Sequence, residues 1–582
     1  MNGHGHLPGA EPVVTRDSET AATDVAWLLW HWPLFVVLGA FLGTLGLIPV
    51  FVDAPVGDDW VYTRSVETLL RSGEIEILDL SVVTLLFQIL WGSFFSLVLG
   101  TSFGAMRLST FVLVLFSGAA MYGLCRELGL ARGRAALGTA AYLFNPLTFV
   151  LAFTFMTDGQ FTALTLIAAY FYVHGLNPTR IDPLAIVVGS AVAALAFLTR
   201  QQGALIPLAI GCYLVVARRW RFDRASVRLT IWVAAIPAIT FGLFYLWLTN
   251  VHGTPEQQSV FAEKIISAGW DDTRLLFARM THIEFTYLGF FLLPIALAVI
   301  PGIARWRMPI RWPGIALLLG GTAVLLVGLR LFGESGRIMP YIPQFVGGHG
   351  VGPTDLYGGR PSMLGVDRRE VLTTLCAASA FVFVLLVARR LDDQRRTPQR
   401  AAAALVAAIA IWQVIGILPP SFHFRNWIIS VDRYLLPMVP FGIALLLWAS
   451  RDVALVRPLG WLVVSAYALF SVVSTRDYLV FQDATWAMSR TAIEAGVPLT
   501  KLDGGASWDG YHLYEYSLAN EITQQTRGGP WWTHLFGPAT DSTYVVATGV
   551  ITGYDPIFVR EYSSWLHDEP QMMYLLRRQG AA

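Results

Sequence analysis

Apolar runs of about 20 residues recur along this chain from residue 26 to residue 475, and no other feature restricts its fold as strongly. Wound as a helix, a run of that length spans the hydrocarbon layer of a bilayer. In lipid each unpaired backbone polar group costs several kcal/mol, so such runs close their hydrogen bonds internally as helices, and the period-2 alternation of a barrel is missing. A polytopic α-helical membrane protein is expected, in keeping with 55% hydrophobic and 14% charged residues. Thirteen candidate spans cover residues 26–51, 105–125, 135–155, 160–176, 184–199, 204–217, 229–249, 285–304, 314–332, 371–388, 401–418, 434–450 and 459–475.

The connections alternate in charge. "CRELGLARGR", "NPTRIDP", "ARRWRFDRASVR", "RWRMPIRW", "RRLDDQRRTPQR" and "RDVALVRP" hold nineteen arginines against six acids, which places them in the cytoplasm by the positive-inside rule. Residues 1–25 are polar, lack a basic n-region and read as a disordered cytoplasmic tail, where His4 and His6 are solvated. An odd number of spans then leaves residues 476–582 outside as an extracytoplasmic C-terminal domain. Cys125, Cys212 and Cys376 lie within apolar runs, as small buried residues rather than a disulfide framework or zinc site. A net charge of +1 gives no reason to expect nucleic acid as a partner.

The long segments fall on the opposite side: residues 52–104, 250–284, 333–370, 419–433 and the tail. Function is expected there, because short cytoplasmic turns offer little surface for a site. In the first of them, "DDWVYTRSVETLLRSG" predicts a short interfacial helix with Asp58 near its N-cap and Gly73 as its stop. "SVVTLLFQILWGSFFSLVLG" is apolar enough to span, but a crossing there would invert every later loop, so it is placed as a second interfacial helix. The tail predicts a small α+β fold, with "FQDATWAMSRTAIEAGV" as an amphipathic helix and "YVVATGVITGYDPIFVREY" as one or two strands. Its Trp486, Trp508, Trp531, Trp532 and Trp565 suit either sugar stacking or core packing and membrane anchoring, the commoner uses.

Acids at a helix start serve as caps for about 0.5–2 kcal/mol, and that alone would account for Asp58 or Asp59. Asp158, in "TFMTDGQFTAL", ends up at the same outer level, and three carboxylates on the rim of an apolar bundle point to a site. Arg200 and Gln201 in "FLTRQQGALIP" and Arg433 in "VDRYLLPMVP" stand on that rim too. Arginine forks match phosphate bidentately, although snorkelling towards headgroups is the ordinary alternative. Carboxylates facing arginines at a lipid surface suit chemistry on a polyprenyl-phosphate sugar. Its leaving group is a stable anion, so the protein needs a base for the incoming hydroxyl and cations for the phosphate.

Taken in order, "GDDWVY", "RSGEIEI", "GTSFGAMRLST", "FMTDGQFTAL", "LTRQQG", "VDRYLLPMVPF" and "LDGGASWDGYHLYEY" resemble bacterial members of glycosyltransferase family 39, over about residues 27–520. The family is related to protein mannosyltransferases and aminoarabinose lipid A transferases. The resemblance implies a GT-C-like bundle across residues 26–475 and an inverting hexosyl- or pentosyltransferase of the bacterial plasma membrane. Its donor would be a polyprenyl-phosphate sugar, and its acceptor a cell-envelope glycan, lipid or protein. It further implies that Asp58 and Asp59 form the acidic motif, Asp58 being the base. Asp158 would orient a substrate, Arg200 would lie near the donor phosphate, and Arg433 and Tyr434 would belong to the motif before the last spans. The chain carries "RQQG" where aminoarabinose transferases have a lysine-glycine motif, and it lacks the histidine loop motifs of protein mannosyltransferases, so sugar and acceptor stay open. No cofactor is required, although Asp58 and Asp59 together could hold Mg²⁺ or Mn²⁺.

The Gly- and Pro-rich loop "GESGRIMPYIPQFVGGHGVGPTDLYGG" is long for a connection, and is expected to close over the site with Arg337 or His349 reaching the substrate. A transporter or lipid flippase using the acidic rim is the main alternative, and would show broken helices and midplane charges. A scaffold whose tail binds cell-wall polymers would not require the acidic rim.

Overall fold

A computed structural model describes residues 30–581 apart from 304, 306–309, 354–355, 392–396, 419–429 and 521–538. The expected tail of residues 1–25, together with Trp531 and Trp532, lies outside the described residues. Helix α1 (Trp32–Gly43) leads into the first long loop, which holds α2 (Asp59–Ser72) and α3 (Leu86–Leu99). Then come α4 (Phe103–Glu127), α5 (Arg132–Leu143), α6 (Pro146–Ala152), α7 (Thr157–Gly175) and α8 (Pro183–Thr199). Next are α9 (Leu205–Val216), α10 (Arg224–Trp247), α11 (Glu256–Ile266), α12 (Trp270–Ile303) and α13 (Trp312–Glu334). A hairpin, β1 (Val346–Gly347) with β2 (Gly350–Val351), precedes α14 (Val366–Leu391), α15 (Pro398–Ile415), α16 (Met438–Ala449) and α17 (Arg457–Glu494).

The chain is a helical membrane protein. Among the described residues seven helices are long and apolar enough to cross a bilayer, or eight if α5 and α6, bent by 63°, count as one span. Thirteen spans were expected; each of those segments carries helix among the described residues, but the remaining helices are shorter or more polar. Local chemistry explains the break between α5 and α6. Pro146 cannot continue a helix through its own nitrogen, and Asn145 caps the new start by accepting from the Leu147 N–H at 3.2 Å. Beneath the first loop the core is aromatic: Phe41 stacks on Phe111 at 4.8 Å between ring centres, and Phe153 lies 5.2 Å from Phe111 and 5.1 Å from Phe149.

The expected boundary at residue 475 falls inside a helix. The 38 residues of α17 continue unbroken to Glu494, because a buried face made by Tyr478, Leu479, Phe481, Trp486 and Met488 keeps the helical period after the apolar density drops. The predicted separate tail helix is therefore the far end of the last apolar helix. Beyond it lie β3 (Leu502–Asp503), α18 (Ala506–Ala519), β4 (Tyr544–Ala547), β5 (Tyr554–Tyr562) and β6 (Gln571–Arg578). The strands form a sheet in the order β3-β4-β6-β5, with β3 parallel to β4 and the other pairs antiparallel. Asp477, midway along α17, accepts from the backbone N–H of Trp565 at 2.7 Å and of Leu566 at 2.8 Å, and so hangs the sheet on the helix. Trp486 and Trp508 are buried, with ring centres 5.0 Å apart, whereas Trp565 is exposed beneath the Arg476 guanidinium.

The first long loop, the 333–370 loop and the tail gather at one end of the bundle, hereafter the loop end. A Cβ on Gly57 would lie 3.8 Å from Pro353 and 4.0 Å from Phe345, and Gly510 of α18 abuts the Trp60 ring of α2 so closely that a Cβ would meet it at 2.5 Å.

Candidate active site at the loop end

Asp58 occupies the N-cap position of α2, yet its side chain makes no capping bond. The expectation of a capping role is corrected by the partner it finds: Oδ2 accepts from both Nη1 and Nη2 of Arg433, each at 3.0 Å. Arg433 sits in a single 3₁₀ turn, Asp432–Leu435, just before α16, and its Nε lies 3.9 Å from Oδ2 of Asp158. Asp158 is in the first turn of α7. Its other oxygen accepts from Nη1 of Arg200, which also donates to Oγ1 of Thr157 at 3.1 Å. Arg200 has extended backbone (φ −148°, ψ 141°) where α8 ends and the chain turns back.

The result is an alternating row, Asp58, Arg433, Asp158, Arg200, drawn from four segments remote in sequence. The Tyr434 ring underlies both guanidiniums, its centre 5.2 Å from that of Arg200 and 5.4 Å from that of Arg433. Arg433, Asp158 and Arg200 are buried, while the Asp58 side chain keeps 39% of its exposure. Two charges of each sign offset one another, which is what makes burial at this depth affordable. Burial opposes the Arg433 charge, but Asp58, Tyr434 and Asp158 outweigh it and hold the guanidinium well above its ordinary value. One carboxylate therefore faces solvent while both arginines are already desolvated, the condition in which a guanidinium pairs most strongly with an incoming anion.

Tyr62 was missed in the sequence. It lies one helical turn after Asp58, so the two share a face of α2, and that spacing was the available signal. It is buried within the electrostatic reach of all four charged residues; burial first, then Asp58, pushes its phenol up.

Asp59 was expected beside Asp58 as a second catalytic or metal-holding carboxylate, but the structure turns it inward. Successive helical residues are rotated by about 100°, so neighbours at a helix start cannot both face one ligand. Asp59 is 1% exposed, its Oδ2 accepts from the Val56 N–H at 3.3 Å, and burial pushes its carboxyl up to about 7 against the pull of the Phe155 and Val56 N–H groups and Arg107. With Asp58 engaged by Arg433 and Asp59 pointing elsewhere, the pair does not fit a shared divalent ion. Among the described residues no group of three or more His, Cys, Asp or Glu could hold a metal.

Gln201 does not enter the row; its Nε2 donates to the Val82 carbonyl at 2.8 Å and pins the lead-in to α3. Arg337 is exposed at the start of the 333–370 loop, with no contact to the row among the described residues. His349, at the tip of the β1-β2 hairpin, has its Nε2 3.2 Å from the Gly352 carbonyl and belongs to its own turn. The loop nevertheless reaches the site through Asp432, which the sequence reading passed over. Fully buried beside Arg433, it accepts from the N–H groups of Phe345 at 3.0 Å and Val346 at 2.7 Å. Burial pushes its carboxyl up to about 6.

Residues 85–245 match the family described as dolichyl-phosphate-mannose-protein mannosyltransferase, so the resemblance read from the motifs is present in that segment, which includes Asp158, Arg200 and Gln201. No curated protein matches the chain by sequence. Among solved structures it is similar to apo ArnT from Cupriavidus metallidurans, at 16% identity and TM-score 0.40, covering 83% of this chain and 82% of that one. The same protein bound to undecaprenyl phosphate gives 14% identity and TM-score 0.39, with 95% and 98% covered. AglB from Archaeoglobus fulgidus, an archaeal oligosaccharyltransferase in complex with an inhibitory peptide and a dolichol-phosphate, gives 14% identity and TM-score 0.39, with 87% of this chain and 61% of that one covered. These likenesses are remote, and the chemistry below rests on this chain's own residues.

Proposed function

We propose that this protein is a GT-C-type glycosyltransferase. It moves a hexosyl or pentosyl unit from a polyprenyl-phosphate donor to a hydroxyl of a cell-envelope acceptor on the extracytoplasmic face, with inversion. The observation that carries this reading is the convergence of Asp58, Asp158, Arg200 and Arg433 on one spot, with the Asp58 carboxylate partly open to solvent. The family match over residues 85–245 supports the same class.

In this scheme the donor phosphate takes Arg433 from Asp58 and leans on Arg200. Freed of its partner, Asp58 accepts the proton of the acceptor hydroxyl. The acceptor oxygen attacks the anomeric carbon, the bond to the phosphate oxygen breaks, and the electron pair leaves with the polyprenyl phosphate, held by the guanidiniums. Asp158, bridging both arginines, sets their spacing. A positioned base contributes about 10²–10⁴ in rate, and preorganised cations at the leaving group about 10²–10³.

One observation favours the second reading, a transporter or flippase: the 63° break between α5 and α6. Against it, all four charged residues of the row stand at or beside helix ends rather than mid-helix. Both readings meet in one assay, in which the protein in proteoliposomes receives labelled polyprenyl-phosphate sugars and membrane acceptors. Transfer by wild type, lost in folded Asp58→Asn and Asp158→Asn, supports the transferase. Movement of label across the bilayer without transfer would replace it with the second reading.

A further inference from the structure

Arg107 and Asp59 take no part in that scheme, yet both are ionisable groups buried under it. Arg107, in the second turn of α4, is 0% exposed at the edge of an apolar span. Its Nη1 donates to the carbonyls of Val50 at 3.0 Å and Val52 at 2.5 Å, and its Nη2 donates to that of Ala54. The stretch from residue 50 to 54 belongs to no helix or strand, so these alternate carbonyls have no ladder to join, and a planar five-donor fork is the one side chain able to take all three. Four residues later the chain delivers Asp58.

Asp59 sits at the other end of the same stretch. It accepts from the Val56 N–H and faces the N–H of Phe155 and the Arg107 charge. The Phe155 carbonyl in turn accepts from Nε2 of Gln88 in α3, and two residues further on Thr157 and Asp158 take the Arg200 bonds. Asp59 thus lies between the loop that presents Asp58 and the turn that presents Asp158.

We propose that Arg107 and Asp59 are positioning residues forming a buried frame: Arg107 grips the entry to the Asp58 loop, Asp59 fastens its exit through the Val56 N–H and sets it facing the Phe155 turn that Gln88 holds, and together they fix the spacing between Asp58 and Asp158. For catalysis this rests on the transferase reading above. Neither residue touches substrate, so their loss disturbs the geometry of the bond-making step rather than the hold on the lipid phosphate.

The test uses full-length protein in lipid nanodiscs, comparing wild type with Asp59→Asn, Arg107→Lys and the milder Gln88→Met. Two readouts are taken: steady-state transfer with a labelled polyprenyl-phosphate sugar, and backbone deuterium uptake. Folded Asp59→Asn and Arg107→Lys are expected to lose about tenfold to a hundredfold in kcat while donor KM moves less than about threefold. Deuterium uptake is expected to rise across residues 50–58 and 153–158, and Gln88→Met should show the same pattern more weakly. If Asp59→Asn or Arg107→Lys fails to fold, Gln88→Met carries the comparison. Wild-type kcat, a loss confined to donor KM, or unchanged uptake in those segments overturns the frame. Absence of transfer by wild type overturns the transferase reading instead, and leaves the exchange measurement to judge the frame.

Discussion

Arg134 and Arg219, at the end away from the long loops, are used in the opposite way to Arg200 and Arg433 at the loop end. The first pair holds carbonyls: Arg134 donates to those of Ser450 and Val453 at 2.8 and 2.6 Å, and Arg219 to that of Leu176 at 2.8 Å. Ser450 and Leu176 follow the last residues of α16 and α7, where a helix leaves its last carbonyls without partners, and Val453 lies in the turn beyond α16, so the guanidiniums act as fixed caps. At the loop end Arg200 and Arg433 hold carboxylates instead, and one of these, Asp58, is partly open to solvent. A carbonyl cap has nothing to exchange with, whereas an ion pair beside solvent yields to a better anion. Position does not separate the two uses; the partner does: Arg107 grips carbonyls at the loop end itself, and Arg390 at the far end pairs with Asp452 at 2.8 Å as well as with the Ala449 carbonyl at 2.9 Å.

The sharpest way to break the contrast is Asp58→Asn. Turnover should fall by about 10²–10⁴ with the melting temperature held, and a variant retaining wild-type turnover would remove Asp58 as the base. Next comes Arg433→Lys, which cannot place two N–H donors on Asp58 and still face Asp158. Turnover should drop about 10²-fold and inhibition by an added polyprenyl phosphate should weaken, both read from initial rates. A smaller effect of the other kind is expected for Arg134→Met: about 2 kcal/mol of stability lost in denaturant titration and unchanged turnover at a permissive temperature. Lost turnover in a folded Arg134→Met protein would erase the distinction between the two uses.

The smallest effect is in pH. Asp432 titrates at about 6 in the folded chain, against about 3.9 when unfolded. Between those values the folded protein keeps a proton that the unfolded chain has lost. Its contribution to stability is fully present below about pH 4 and is lost as pH rises through 6. The melting temperature of wild type minus that of Asp432→Asn should therefore decline from pH 4 to about 7 and then level off; a difference that grew with pH would reverse the assignment.

Charge in an apolar context was the readable part of the site. Asp58, Asp158, Arg200 and Arg433 each interrupt or border an apolar run, and lipid makes such residues conspicuous. Direction was not readable: Asp59 is as acidic as Asp58, and only the rotation of α2 sends one to Arg433 and the other inward. Arg107 was hidden because an arginine near the end of an apolar run looks like an interface anchor, and its carbonyl partners are 53 to 57 residues away. The helices were legible from their apolar runs, but the length of α17 was not, since past residue 475 its covering changes from lipid-type contacts to the tail. The strand β6, "QMMYLLRR", was not among the expected strands, since it carries no β-branched residue, and it is held by pairing with both β4 and β5.

The unbroken course of α17 also matters to anyone who would image this molecule. At 1.5 Å per residue its 38 residues make a rod about 57 Å long, rooted among the apolar helices and bearing the tail sheet without an intervening hinge. An antibody fragment raised against that sheet would be a fiducial registered to the whole bundle, so particle alignment could be driven from a feature standing clear of the detergent.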